Sequence, residues 1–312
     1  MRAFIFPGQG SQSVGMGKAL ADAFAAARQV FEEVDDALNQ RLSRLMWEGP
    51  ESELTLTENT QPAIMTASLA VIRVLEAGGG LRLADHARLV AGHSAGEYAA
   101  LCAAGAFTLS DTARLLRTRG RAMQDASPVG VGAMTALLGI EMNLVEEACK
   151  EASSVGVVVV ANDNAPGQIV ISGATKAVEK AAEIAKAKGA KRAIPLAVST
   201  PNHSPLLEPA AETMHDALAR ITIRPPSVPL ISNVTAGEIA EPDAIRRLLV
   251  EQLTARVRWR ESVAGFRGLG VTKTVEVGGN KVLTGMVKRI DKDLEPVTLD
   301  TPADIEAFAK TL

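Results

Sequence analysis

A strand, a sharp turn and a helix are written one after another in "ARLVAGHSAGEYAAL", residues 87–101, and no other stretch constrains the fold as tightly. "ARLVAG" (87–92) is an apolar run of strand length without polar alternation, the pattern of a strand buried on both faces of a parallel sheet. Gly92-His93-Ser94-Ala95-Gly96 follows, and then a helix-forming run. Parallel strands need helical crossovers, so the rest of the chain should alternate strands and helices. It does. "RAFIFP" predicts an opening strand, the glycine-rich "GQGSQSVGMG" a loop, and residues 16–39 a helical stretch. Helices are expected over 61–78, 95–105 and 110–126. After a long interval come a strand in "VPLIS", helices near 242–268, a strand "KTVEV", a loop "GGN" and a helix from Lys281.

The interval from about 130 to 198 has its own order. It reads strand "VGAMTALLG", helix 141–153, strand "VGVVVVAN", turn "DNAPG", strand "QIVISG", helix 174–188 and strand "AKRAIPLAV". This is the β-α-β-β-α-β order of a ferredoxin-like unit. The expected fold is therefore α/β: an α/β-hydrolase-like core with a parallel sheet (residues 1–127 and 199–312) and an inserted ferredoxin-like subdomain (128–198). At 312 residues the chain exceeds the ~250–300 at which single cores stop growing, which agrees with an insertion. Only one Tyr, two Trp and seven Phe are available, so the core must be built from Ala, Val, Leu and Ile.

Charge excludes one class of partner. With 33 basic and 36 acidic side chains the chain carries no nucleic-acid footprint. Cys102 and Cys149 lie far apart in apolar helical patterns, which suits core residues better than a disulfide or metal cluster. The apolar run in "MRAFIFPGQG" breaks at Pro7, too short for a signal sequence or membrane span, and a soluble cytoplasmic protein is expected.

Gly92-x-Ser94-x-Gly96 between a strand and a helix is the context of a nucleophile elbow, where small residues flank a strained serine and the helix N-terminus offers N–H groups to an oxyanion. The plainer reading is a helix N-cap, with Glu97 three residues on completing a capping box. A base decides between them. Of the four histidines, His86 lies in a polar segment, His93 adjoins the serine and should point away from Oγ, and His215 falls on a helix surface. His203, in "AVSTPNHSPLL" between two prolines, is where a loop over a sheet edge would present a base to Ser94, although a loop histidine can also cap the next helix. No acid is marked as its orienter, and a backbone carbonyl would serve equally.

In "SDTARLLRTRGRAMQDA", Arg114, Arg117 and Arg121 share one helical face, expected to be solvated. Arg119 instead falls among Leu115, Leu116, Ala122 and Met123. An inward arginine requires a partner: either a protein carboxylate, or a substrate carboxylate beside an acylated serine.

Taken together, "FPGQGSQSVGMG", "GHSAGEY", "RGRAMQDA", "GAMTALLG", "ANDNAPGQIVISG", "AKRAIPLAVSTPNHSPLL" and "KVLTGMVKRI" make the chain resemble, over nearly its whole length, the malonyl-CoA:acyl carrier protein transacylases of bacterial type II fatty acid synthesis. The resemblance implies that Ser94 is the acylated nucleophile, His203 its general base and acid, and Arg119 the malonyl carboxylate binder. It implies an oxyanion hole from the backbone N–H groups of Gln9 and Ala95. It further implies malonyl-CoA and acyl carrier protein as partners, a monomer, and no cofactor, the CoA thioester being a substrate. The chain departs from the family pattern at Ala95 (usually Leu), Asn202 (more commonly Ser) and Asn280 (usually Gly). Arg258 aligns with a Gln thought to orient the histidine.

Three rivals compete. A serine hydrolase of the α/β-hydrolase class usually has a late histidine, yet none follows His215 here. A phosphate-binding loop fails because Gln12 and Ala19 stand where Gly and Ser or Thr are needed. An idle carrier-binding scaffold would not be labelled by malonyl-CoA. Carrier proteins are acidic, so a basic docking surface is expected, with Lys186, Lys188, Lys191 and Arg192 or Lys281, Lys288 and Arg289 as candidates beside the alternative of solvated helix faces.

Overall fold

The computed structural model describes residues 1–128, 130–198 and 200–312. In chain order the strands are β1 (Arg2–Phe6), β2 (Ala87–Gly92), β3 (Gly132–Leu138), β4 (Val158–Ala165), β5 (Gln168–Ala174), β6 (Arg192–Pro195), β7 (Leu230–Ile231), β8 (Glu238–Ile239), β9 (Lys273–Val277) and β10 (Glu295–Leu299). They form a six-stranded sheet in the order β10-β9-β1-β2-β7-β8 and a separate four-stranded sheet in the order β4-β5-β3-β6. The larger sheet is parallel except where β8 pairs with β7, and every pairing in the smaller one is antiparallel.

Strands β1 and β2 lie at the centre because both of their faces are apolar. Phe4, Phe6 and Val90 enter the core that holds the helix Thr57–Gly79, while Ala3, Ile5, Leu89 and Ala91 enter a second core with Trp259, Val263 and Phe266. Alternate residues thus serve opposite layers, as the two-residue period of a strand requires. Their register pairs Phe6 with Gly92, so both strands end at one level and their following loops meet. Helix Thr57–Gly79 is long and apolar enough to cross a membrane, but 72% of its apolar window is buried inside the protein. It serves here as a core helix.

The smaller sheet carries helices Met142–Ala152 and Thr175–Ala187 over one face and has a core of its own. The two sheets meet along a polar seam. Arg260 bonds Asp163, Arg289 reaches Gln168 and the Pro166 carbonyl, and Asn162 bridges to Val257.

Several boundaries differ from those expected. The helical stretch at 16–39 divides into Lys18–Ala23 and Ala25–Leu38, because Phe24 is extended at φ −127°. β4 runs on through Asn164 and Ala165, so the turn is shorter than "DNAPG", with Gly167 at φ 65°. β10 and the helix Pro302–Ala309 were not expected. β10 contains Pro296 and sits at the sheet edge, where a proline is tolerated. Arg117 departs from its expected solvated face: it is 8% exposed and donates to Asn59 Oδ1 at 3.0 Å, with Glu58 at 3.5 Å, whereas Arg114 and Arg121 are exposed.

Candidate active site

The turn after β2 is tight enough to exclude side chains on either side of Ser94. A Cβ on Gly92 would stand 2.0 Å from the Gly96 carbonyl carbon, and one on Gly96 would stand 2.2 Å from the Phe6 carbonyl oxygen. Ser94 itself takes φ 53°, a left-handed conformation that costs a non-glycine residue roughly 1–3 kcal/mol unless its surroundings impose it. Asn233 imposes it. Its Oδ1 accepts from Ser94 N at 2.7 Å and its Nδ2 donates to the Gly92 carbonyl at 2.7 Å.

No capping box forms. The helix Gly96–Ala103 has Ala95 as its N-cap with no side-chain cap, and Glu97 is buried. Glu97 accepts from Asn233 N at 2.5 Å and from Gln252 Nε2. Burial pushes its carboxyl up to about 8, against the pull of these donors and of Arg119.

Ser94 Oγ lies 2.8 Å from His203 Nε2, across 109 residues of sequence. The other ring nitrogen, Nδ1, is 2.8 Å from the Gln252 backbone carbonyl, which can only accept. That carbonyl assigns the proton to Nδ1 and leaves an Nε2 lone pair facing the serine hydroxyl. Burial, and next the positive charge of Arg119, depress the imidazole to about 3, so His203 is neutral. The remaining histidines sit as expected or outside the site: His93 Nε2 bonds Asn164 Oδ1 at 2.8 Å, His86 bonds its own helix, and His215 is exposed.

Arg119 is 1% exposed, in the helix Leu109–Ala126. One terminal nitrogen donates to Ser94 Oγ at 3.1 Å and to Gln252 Oε1 at 3.0 Å, and the guanidinium stands over the Tyr98 ring, 5.8 Å from its centroid. Its Nε has no acceptor, and among the described residues no carboxylate lies within ion-pair distance of it. Of the two partners open to it from sequence, a protein carboxylate is therefore absent. The loop after β1 closes on the same spot: His93 N donates to the Phe6 carbonyl at 2.9 Å, and a Cβ on Gly8 would stand 2.3 Å from the His93 carbonyl oxygen. Gln9 lies on the first of these loops and Ala95 directly follows the serine on the second. Neither of their N–H groups donates to an acceptor among the described residues.

Arg258 does not reach the histidine. Its guanidinium binds Glu261 and the Val234 and Thr235 carbonyls, so the alignment of that position with the orienting Gln is corrected: Gln252 holds the histidine. Gln252 was missed because nothing marks "EQLTARV" as functional. Asn233 in "ISNVT" was missed for the same reason, since an asparagine after a strand reads as a turn residue. Asn202 is buried and accepts from Thr200, and Asn280 takes φ 52°, a conformation asparagine tolerates, and donates to Ser11 O. Among the basic clusters, Lys188 is paired with Glu147 and Glu151 and Arg289 with the smaller sheet, while Lys186, Lys191, Arg192, Lys281 and Lys288 are exposed.

A half-buried serine thus meets a buried histidine beside an arginine that has no carboxylate partner among the described residues. The family model "Acyl transferase domain" matches residues 3–299. The chain belongs to the acyl transferase family. This acyltransferase is 45% identical over 311 residues to the malonyl CoA-acyl carrier protein transacylase of Bacillus subtilis, covering 99% of the chain and 96% of the relative. It is 45% identical over 305 residues to the transacylase of the same name from Escherichia coli K12, covering 98% and 97%. Among solved structures, the acyl-carrier-protein S-malonyltransferase of Bartonella henselae superposes with a TM-score of 0.97 at 54% identity, covering 99% of this chain and 98% of that one. A malonyl-transacylase in complex with a type II PKS acyl-carrier protein gives 0.96 at 41%, covering 100% and 99%.

Proposed function

We propose that this acyltransferase moves a malonyl group from malonyl-CoA to the phosphopantetheine thiol of an acyl carrier protein through a malonyl ester of Ser94, supplying fatty acid synthesis in the cytoplasm. The observation that carries the reading is Arg119: a fully buried guanidinium 3.1 Å from the Ser94 hydroxyl, with an unsatisfied Nε and no carboxylate partner among the described residues. Such a group is unfavourable unless a ligand anion completes it. A malonyl carboxylate, set two bonds beyond the reacting carbonyl carbon, has the charge and the reach to do so.

In the first half-reaction His203 Nε2 takes the Ser94 proton as Oγ attacks the thioester carbonyl. The oxyanion of the tetrahedral adduct accepts from the Gln9 and Ala95 N–H groups. As the adduct collapses the C–S bond breaks, and the imidazolium returns its proton to the departing CoA thiolate. In the second half the carrier thiol gives its proton to His203 and attacks the ester, and Ser94 Oγ leaves with that proton. A neutral His203 is ready to accept at each start, and the Gln252 carbonyl supports the imidazolium formed midway.

The relatives named as malonyl transacylases and the carrier-bound neighbour support this assignment of substrate and partner. We assign residues 1–127 and 199–312 to an α/β-hydrolase-like core, on the strength of the strand–serine–helix turn in its parallel sheet. Residues 128–198 form a ferredoxin-like insert by their β-α-β-β-α-β order. The enzyme acts as a monomer without a cofactor, each step being written on its own side chains. No nucleic acid or membrane has a part in it, and the exposed basic residues are the surface offered to the acidic carrier.

Intact-protein mass measurement after incubation with malonyl-CoA and with acetyl-CoA tests the scheme. The wild type should gain the mass of one malonyl group, and Ser94→Ala should gain none. Arg119→Ala should lose malonyl transfer at least about tenfold more than acetyl transfer, since a site built to pair a charged group discriminates strongly against its absence. Acylation of Ser94→Ala, or equal losses on the two substrates, would overturn it.

A further inference from the structure

Gln252 hydrogen-bonds the histidine, the arginine and the backbone of the serine. Its backbone carbonyl accepts from His203, its Oε1 accepts from Arg119, and its Nε2 donates to the Ser94 carbonyl at 3.0 Å and to Glu97. A carboxamide that turns over exchanges its oxygen and nitrogen, and an NH2 facing Arg119 would oppose donor to donor. Something must hold it one way round. The Ser94 carbonyl is one acceptor for the two Nε2 hydrogens, and the Glu97 carboxylate is the other.

Glu97 is the firmer of the two anchors. It is 1% exposed, and both groups that touch it are donors, the Asn233 N–H on one oxygen and the Gln252 amide on the other. Both partners are donors and leave no acceptor for a carboxylic proton, so the geometry holds Glu97 as the acceptor even though burial raises its carboxyl to about 8. Asn233 in turn clamps the strained serine through Ser94 N and the Gly92 carbonyl. The helix that starts at the nucleophile therefore carries, three residues on, the acceptor that orders both residues around it.

We propose that Glu97 is a positioning residue for acyl selectivity: it fixes the Gln252 carboxamide so that its oxygen faces Arg119, which leaves the outer face of the guanidinium aimed beside Ser94 for a carboxylated acyl group. The arrangement steadies Arg119 without a direct carboxylate, which would occupy the donors that the substrate needs. The inference rests on the reading of Arg119 as the acyl-carboxylate binder.

The test replaces the acceptor by its isostere. Glu97→Gln brings an NH2 against either Asn233 N–H or Gln252 Nε2, and the second clash is relieved only by turning Gln252 over. For E97Q, E97D and R119A, kcat/KM is measured for acylation by malonyl-CoA and by acetyl-CoA, with circular dichroism and thermal melts to establish folding. The ratio of malonyl to acetyl kcat/KM should fall at least about tenfold in E97Q, and E97D, which keeps an acceptor, should retain more of it. A purely structural role would lower both substrates together. Equal losses, or no loss, in E97Q while R119A loses selectivity would overturn the role of Glu97 alone. An unchanged ratio in R119A would overturn the reading of Arg119 and this inference with it. If E97Q does not fold, E97D is read by the same criterion: a greater loss for malonyl than for acetyl supports the inference, and equal losses overturn it.

Discussion

His203 combines two properties that its sequence position does not convey. It must be neutral to accept a proton, and it lies buried beside a permanent positive charge. Both conditions push its imidazole down, burial first and Arg119 second, to about 3. The form that works is the unprotonated one, so activity should persist as the pH falls through the ordinary imidazole value of ~6.5 and be lost only well below it. A pH profile of kcat/KM for acylation should therefore place the acid limb below about pH 5. Because Arg119 is the second cause, Arg119→Ala measured with acetyl-CoA should move that limb upward; a limb unmoved by the substitution would remove Arg119 from the electrostatics of the base. Ser94 and Arg119 were legible one at a time, from a glycine spacing and from an arginine on an apolar helical face. Gln252 and Asn233 were not, because a single amide among polar neighbours has no pattern until its hydrogen bonds are seen.

The turn at Ser94 works as a unit of backbone. Two close approaches, at Gly8 and Gly96, let the end of β1 and the turn after β2 touch without side chains between them, and a third, at Gly92, lets the turn fold back onto the start of its own helix. Gly96 lies deepest in that contact, with carbonyl oxygens of Phe6 and Pro7 at 2.2 and 2.9 Å from where a Cβ would stand. Backbone cannot move aside as a flexible side chain can. Gly96→Ala should thus cost about 3 kcal/mol or more by urea unfolding. Gly265→Ala, at the end of the helix Trp259–Gly265 with nothing within 4 Å of its Cβ, should change stability by less than ~1 kcal/mol. Comparable losses in the two variants would mean that packing at the turn is not what demands glycine. At this scale most elements were readable, since apolar runs and 3.6-residue periods are local. The break at Phe24, the extension of β4 and the edge strand β10 were not, because each is decided by what the segment packs against.

The molecule joins its two sheets through the side of the active site. Asp163, with a side chain only 2% exposed, takes two contacts from Arg260 Nε at 3.0 Å and one from a terminal nitrogen at 2.8 Å. The next residue, Asn164, holds His93 beside the nucleophile. Arg260→Ala would leave the Asp163 carboxylate buried without its partner, at a cost of about 2–3 kcal/mol, less than for a fully buried pair because Arg260 is partly exposed. The denaturation midpoint should fall accordingly. An unchanged midpoint would show the seam to be held by its other contacts.

Residue order by itself determined the alternating strands and helices, the β-α-β-β-α-β interval and the glycine-flanked serine, since each is a periodicity or a spacing within reach of its own neighbours. Whether that serine caps its helix or meets a histidine and an arginine was decided only by folding. Burial strips water from Glu97, Arg119 and His203, and each must then find its partner across 25 to 155 residues of chain. Which amide, carbonyl or hydroxyl lies within 3 Å is a property of the packed molecule that no local pattern encodes.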